Sequence, residues 1–236
     1  MNLDELRLIA TTIVSEKKPS VNIVPEQWGA MLDFAQLKHY KRKLGLPEEY
    51  VPGRPKPSQS YAINQRIDDD LAPFSVHMGR TGELPFPISQ QGESTLPPDF
   101  FFPTGMLYNM IKPSGEVAPR EVYLLTDEEW VEYVTSQIIE QTFDYPIANI
   151  KSGYIRFLPK NLGHIEFTYL RRPAKPVFGY TTTDGYIAYS SATSTELEWD
   201  ELNQVDILYI LLSDLGIVIE RGDIFQVSEK VKAQGI

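Results

Sequence analysis

Glu121-Val122-Tyr123-Leu124-Leu125-Thr126-Asp127-Glu128-Glu129-Trp130 sets a short apolar run directly against a helix start. Residues 121–125 read as a strand. Thr126 and Glu129 form a capping box, in which the Thr hydroxyl accepts from the N3 amide while the N3 carboxylate reaches back to the cap. Trp130, Val134 and Ile138 follow at four-residue intervals and predict one helical stripe. A strand that hands over to a capped helix, in a chain with paired strands further on, predicts an α+β fold.

Beyond this helix, residues 153–159 and 164–170 form a predicted hairpin. In the second strand Ile165, Phe167 and Tyr169 share one face, Glu166 and Thr168 the other. A second hairpin is predicted around Asp184-Gly185, joining residues 177–180 to 186–189. Leu202, Val205, Leu208, Tyr209, Leu212 and Leu215 predict a helix over 200–215 with a wide apolar face. Gly216 is placed for a left-handed cap, with Ile217 for its hydrophobic contact. A shorter helix is expected over 223–233.

In the other direction, Leu3, Leu6, Ile9, Ala10 and Ile13 predict a first helix to about residue 15. A second starts near Pro25, with Glu26 in its first turn. Trp28, Met31, Leu32 and Ala35 form its stripe, which Phe34, Leu37 and Leu44 widen. It ends in Lys38, Lys41, Arg42 and Lys43, with Gly45 as the stop. Residues 45–119 hold 12 of the 18 prolines, densest in Pro52-Gly53-Arg54-Pro55-Lys56-Pro57, so long regular elements are not expected there. An extended arm with short strands at 61–63, 75–78 and 100–102 is the reading. The division is therefore an N-terminal helical segment (1–45), a Pro-rich arm with short strands (46–120) and an α+β domain of antiparallel hairpins with packed helices (121–236).

The chain has no cysteine, which excludes disulfides, thiolate metal sites and cysteine nucleophiles. Its acidic, amphipathic start is unlike a secretory signal, and no apolar run approaches the ~20 residues that cross a bilayer. The net charge of −10 is uneven: residues 1–120 carry 13 basic and 14 acidic side chains, residues 121–236 carry 9 and 18. That field opposes nucleic-acid phosphates. His39, His77 and His164 stand apart without a second ligand at metal spacing, and there is no phosphate loop or nucleophile elbow. The hydroxyl clusters 181–183 and 190–191 have no base nearby in sequence and read as polar loops. Asp68-Asp69-Asp70 lacks the alternating oxygen ligands and central glycine of a calcium loop and reads as a solvated loop or helix start. No catalytic residue, metal ligand or cofactor is assigned. Residues 126–144 hold six acids and no base, as do 193–214. The basic helix end of one copy facing such an acidic helix of another makes Lys38, Lys41, Arg42, Lys43, Asp200 and Glu201 candidate subunit-contact residues. Helix-end cations favoured by the dipole are the plainer reading of the basic run, and a nucleic-acid grip around Tyr40 the third.

Several strings occur together in order: Lys-Leu-Gly-Leu-Pro-Glu-Glu-Tyr (43–50), Leu-Pro-Pro-Asp-Phe (96–100), Leu-Thr-Asp-Glu-Glu-Trp (125–130) and Tyr-Pro-Ile-Ala (145–148). Phe-Leu-Pro-Lys (157–160), Phe-Thr-Tyr-Leu-Arg-Arg-Pro (167–173), Glu-Leu-Glu-Trp-Asp-Glu (196–201) and Leu-Gly-Ile (215–217) complete the set. The order resembles head-to-tail connector (neck ring, or adaptor) proteins of crAss-like and related tailed phages. The resemblance spans most of the chain, in short motifs of which none marks a catalytic site. It implies a non-enzymatic virion protein of the neck and tail, made in the host cytoplasm. It also implies a ring of many copies, commonly twelve, stacked between portal and tail, touching the portal and other ring proteins. Genome DNA then passes nearby without specific binding, and no membrane is involved. Two other classes fit the composition: a cytoplasmic protein-binding module or regulator, and a metal-dependent hydrolase with dispersed carboxylates, Asp68–Asp70 among them.

Overall fold

A computed structural model describes residues 1–17, 19, 23–44, 68–79, 83, 85–111, 115–136, 142–183 and 186–216. The fold is α+β, as expected. Its two compact units cut across the division read from composition: one joins Met1–Pro73 to Pro173–Ile236, and the other is Phe74–Arg172. The reason is long-range pairing. The apolar faces of the first two helices close on the last described helix, and composition along the chain carries no sign of that partner. The expected strand at 61–63, the run 52–57, Gly45, Ile138, the turn 184–185, Ile217 and the helix at 223–233 lie outside the described residues.

In the first unit, α1 (Leu3–Lys17) buries Leu3, Leu6, Ile9, Ala10, Ile13 and Val14. Asn2 caps it, accepting from the Glu5 amide at 2.8 Å while Glu5 Oε2 accepts from the Asn2 amide at 3.1 Å. Pro25 opens α2 (Pro25–Lys43), which buries Trp28, Leu32 and Ala35 as expected. Phe34 instead stands 59% exposed with Lys38 Nζ 4.7 Å above its ring, because the buried face continues through Gln36, His39 and Tyr40. The last described helix, α4 (Glu201–Asp214), packs against both α1 and α2. Val205, Leu208 and Leu212 are buried and Gly216 takes the left-handed conformation (φ 71°), but Leu202 is exposed. Ile207, Ile210 and Leu211 are buried as well, so the helix is covered on most sides and not along one stripe.

The strands β9 (Tyr180–Thr183) and β10 (Tyr186–Tyr189) pair with Thr183 opposite Tyr186, leaving the expected two-residue connection. The first strand starts later than residue 177. Val177 is withdrawn from it by two backbone bonds to Thr195, at 3.0 and 2.9 Å. The segment after Pro173 also lies against α2: Gln36 Nε2 donates to the Ala174 carbonyl at 3.0 Å, and a Cβ on Gly29 would meet the Pro176 carbonyl oxygen at 2.6 Å.

The second unit holds two four-stranded sheets. One has the order β1 (Ser75–Met78), β8 (His164–Arg171), β3 (Phe100–Ile111), β4 (Val117–Glu121), all antiparallel. The other has the order β2 (Glu93–Thr95), β7 (Tyr154–Leu158), β6 (Ile147–Lys151), β5 (Tyr123–Leu124), with β5 parallel to β6. Both sheets feed one core: Met106, Tyr108, Ile165, Phe167 and Tyr169 from the first, Ala148, Ile155 and Phe157 from the second. The alternation in β8 is as expected, with Ile165, Phe167 and Tyr169 buried and Glu166 and Thr168 half-buried. Each fully buried aromatic of this kind contributes roughly 1.5–3 kcal/mol.

Three expectations fail in this unit. Residues 153–159 and 164–170 are not a hairpin: β7 and β8 belong to different sheets. The loop between them is an inward corner, with Leu162 only 4% exposed in the core. The true tight turn is Ser152-Gly153, where Gly153 has φ 88° and Lys151 pairs with Tyr154. The strand at 100–102 is the start of the 12-residue β3. Pro103 is tolerated inside it because the register with β8 slips on either side, between Phe100 and Phe102 and between Pro103 and Gly105. The run 121–125 is not one strand, since Val122 turns inward and its flanks join opposite sheets.

The capping box at Thr126 and Glu129 forms as read, and starts α3 (Asp127–Thr135). Trp130 is buried but Val134 is 46% exposed, so the four-residue stripe does not continue. Asn149 anchors the helix start, its Nδ2 donating to the Leu125 carbonyl and to Asp127 Oδ1, each at 3.0 Å. Arg156 donates to Asn149 Oδ1 at 2.9 Å and lies 4.9 Å above the Trp130 ring. The Lys151 ammonium and the Asn149 amide hold the Asp127 carboxyl below its usual range.

Gly29→Ala is expected to destabilise the chain by on the order of 1–3 kcal/mol through overpacking. At an uncrowded helix position the same change gains ~0.5–1 kcal/mol. Urea unfolding measures the sign, and a stabilised variant would contradict the close approach to Pro176.

Candidate functional site

The basic end of α2 is largely committed within its own unit. Lys38 Nζ reaches Asp214 Oδ1 at 2.7 Å, and Lys43 Nζ reaches Asp70 Oδ2 at 2.5 Å. Lys41 and Arg42 are exposed. Asp200 caps α4, accepting from the Asn203 amide at 2.9 Å, and Glu201 is exposed in the first turn. Of the six candidate contact residues, Lys38, Lys43 and Asp200 are thus bonded within the unit, and Lys41, Arg42 and Glu201 are exposed.

Lys43 and Asp200 meet in a network that the sequence did not suggest. Asn203, 4% exposed, donates through Nδ2 to Asp70 Oδ1 at 3.1 Å and to Asp200 Oδ1 at 2.5 Å. With both amide hydrogens directed at carboxylates, its Oδ1 is the acceptor for His39 Nε2 at 2.8 Å. His39 thus carries its proton on Nε2. Its ring, 4% exposed, meets Trp199 edge-on at 5.0 Å. Burial pushes the His39 pKa down, with Lys43 adding to this and the Asn203 bond, Asp206 and Asp70 opposing it. The available signal was the i, i+3 spacing of Asp200 and Asn203 at a helix start. Nothing local pointed to His39 or Asp70 as their partners.

The acidic stretches are also less open than their charge suggests. In 193–214, Glu196 accepts from the Leu3 amide at 2.8 Å and from the Tyr189 hydroxyl, and Glu198 accepts from the Ala174 amide at 2.9 Å. In 126–144, Asp127 pairs with Lys151 and Asp144 with Arg120. These carboxylates hold loops and helix ends in place. Of the other candidates, His77 Nδ1 is 3.0 Å from Thr168 Oγ1 on a sheet face, and His164 is exposed. Residues 68–71 are helical, the helix-start reading of the Asp triplet. Among the described residues, no group of three His, Asp or Glu side chains is placed to hold a metal. No described helix is long and apolar enough to cross a membrane.

The second unit displays apolar side chains that its core does not use. In β3, Met106 and Tyr108 point into the core, so strand alternation puts Leu107 and Ile111 on the opposite face. They are 38% and 62% exposed, and Val117, paired with Ile111 across the β3–β4 ladder, is 55% exposed. Periodicity alone cannot distinguish the face that meets the second sheet from the face left open. A scan against protein-family models gives no match, and neither does a search of curated proteins.

The His39 network carries a pH dependence with a definite sign. The folded pKa lies below the ordinary histidine value, so the unfolded chain binds the proton more readily. Stability from this group is fully present above the unfolded value and is lost as pH falls from there toward the folded pKa. His39→Gln removes that slope. Urea midpoints of both proteins measured from pH 8 to pH 5 are expected to converge on acidification, and parallel curves would exclude His39 as the source.

Proposed function

We propose that the chain is a structural subunit of a tailed-phage neck. Copies form a ring between portal and tail, around the path of the genome, and the subunit does no chemistry of its own. The ordered strings between residues 43 and 217 that resemble connector proteins suggest the family. The observation that carries the assembly part is the face of β3 and β4 turned away from the core, where Ile111 and Val117 stand exposed as a cross-strand pair and Leu107 is exposed further along the same face, beyond Asn109. Apolar side chains held exposed on a sheet face suit burial against another protein surface. The acid excess of residues 121–236 suits a wall that DNA slides past, since phosphates meet like charge.

Light scattering on the purified full chain, alone and with portal protein, tests the reading, as does copy number by mass spectrometry of purified virions. Multiple copies per particle are expected. The double variant Ile111→Asp/Val117→Asp is expected to keep the wild-type circular dichroism and melting while losing assembly. A chain that stays monomeric at all concentrations, with portal present, sinks the proposal.

A further inference from the structure

A second surface of the Phe74–Arg172 unit has the chemistry of a proline-recognition groove. Arg120, Glu121, Tyr123, Asp144 and Tyr145 line a shallow recess of about 270 Å³. Tyr123 and Tyr145 are 49% and 67% exposed, large aromatic area for a folded surface. The backbone beside it is tied together, since the Tyr123 amide donates to the Pro146 carbonyl at 3.0 Å. Arg120 donates to Asp144 Oδ1 from Nε at 3.3 Å and from Nη2 at 3.2 Å. The Asp144 side chain is nonetheless 58% exposed, and Glu121 is exposed beside it. One cation against two carboxylates leaves the rim net negative.

Exposed aromatics flanked by carboxylates suit a ligand with proline rings to stack and cations to pair. Such ligands bind as extended polyproline helices, which lose little conformational freedom on docking. The sequence contains a run of that composition: Pro52-Gly53-Arg54-Pro55-Lys56-Pro57 has three prolines, two cations and no acid in six residues. We propose that the Tyr123–Tyr145 recess receives residues 52–57 of a second copy. The prolines lie against the tyrosine rings, and Arg54 and Lys56 meet Glu121 and Asp144. This rests on the ring reading and deepens it, by naming a contact through which one subunit holds the next.

The test uses the full chain carrying Pro52→Ala, Pro55→Ala and Pro57→Ala as receptor, so that its own run does not compete. The probe is a fluorescein-labelled peptide of residues 49–60, followed by anisotropy. Saturable binding is expected, weakened at least about tenfold by Tyr123→Ala/Tyr145→Ala. Glu121→Gln/Asp144→Asn is expected to weaken it and to flatten its salt dependence. A peptide with its prolines replaced by alanine is expected not to bind. If the double tyrosine variant fails to fold by circular dichroism, Tyr145→Ala alone decides. No saturable binding, or equal binding to the tyrosine variants, overturns the proposal. Light scattering separates the two readings. An oligomeric wild-type chain without peptide binding removes this contact and leaves the ring standing. A wild-type chain that is monomeric throughout removes the second-copy assignment even where the peptide binds.

Discussion

One buried amide holds together segments from both ends of the chain. Asn203 sits on the last described helix and bonds His39 on the second helix, Asp70 at the exit toward the second unit, and Asp200 at its own helix start. A polar group at 4% exposure is tolerable only when each of its hydrogen-bonding atoms finds a partner, and here each does. The arrangement is directional in a way that apolar packing is not. Leucines accept many registers of one helix on another, whereas the Asn203 amide accepts the few that bring an imidazole and two carboxylates to it at once. The Lys43–Asp70 pair joins the same network through Asp70.

What could be read from the sequence was what local spacing determines. The Thr126–Glu129 box, the α1 stripe, the alternation in β8 and the left-handed Gly216 all depend on residues within a few positions of each other. What could not be read was which element meets which. Two alternating strands five residues apart look like a hairpin, but Leu162 in their connection is drawn into the core, and the strands part to different sheets. The proline density of residues 45–119 argued against long regular elements, and the register slips around Pro103 admitted it into a 12-residue strand.

The candidate contact residues show the same division. Charge runs were visible, but whether a charge is spent within the chain is a matter of three-dimensional neighbours. Lys38 and Lys43 are spent on Asp214 and Asp70, and Glu196 and Glu198 on backbone amides. A run of like charge along a sequence thus does not say which of its side chains are left to contact a partner. The exposed tyrosines and the β3–β4 apolar run were invisible for the complementary reason: an aromatic or branched residue in a strand reads as core until the opposite face is known to be filled.

The division of the chain at Pro73 and Pro173 also sets an order of events during synthesis. Residues 74–172 are contiguous and contain every strand of both four-stranded sheets, so this unit can close as soon as its own last strand has left the ribosome. The other unit cannot. Its first two helices emerge early with Leu6, Ile9, Trp28 and Leu32 uncovered, and wait for α4 to arrive from beyond residue 200. For that interval the nascent chain carries a finished inner unit between an unfinished beginning and an absent end. A factor that shields nascent apolar helices would therefore act on α1 and α2, before α4 is made.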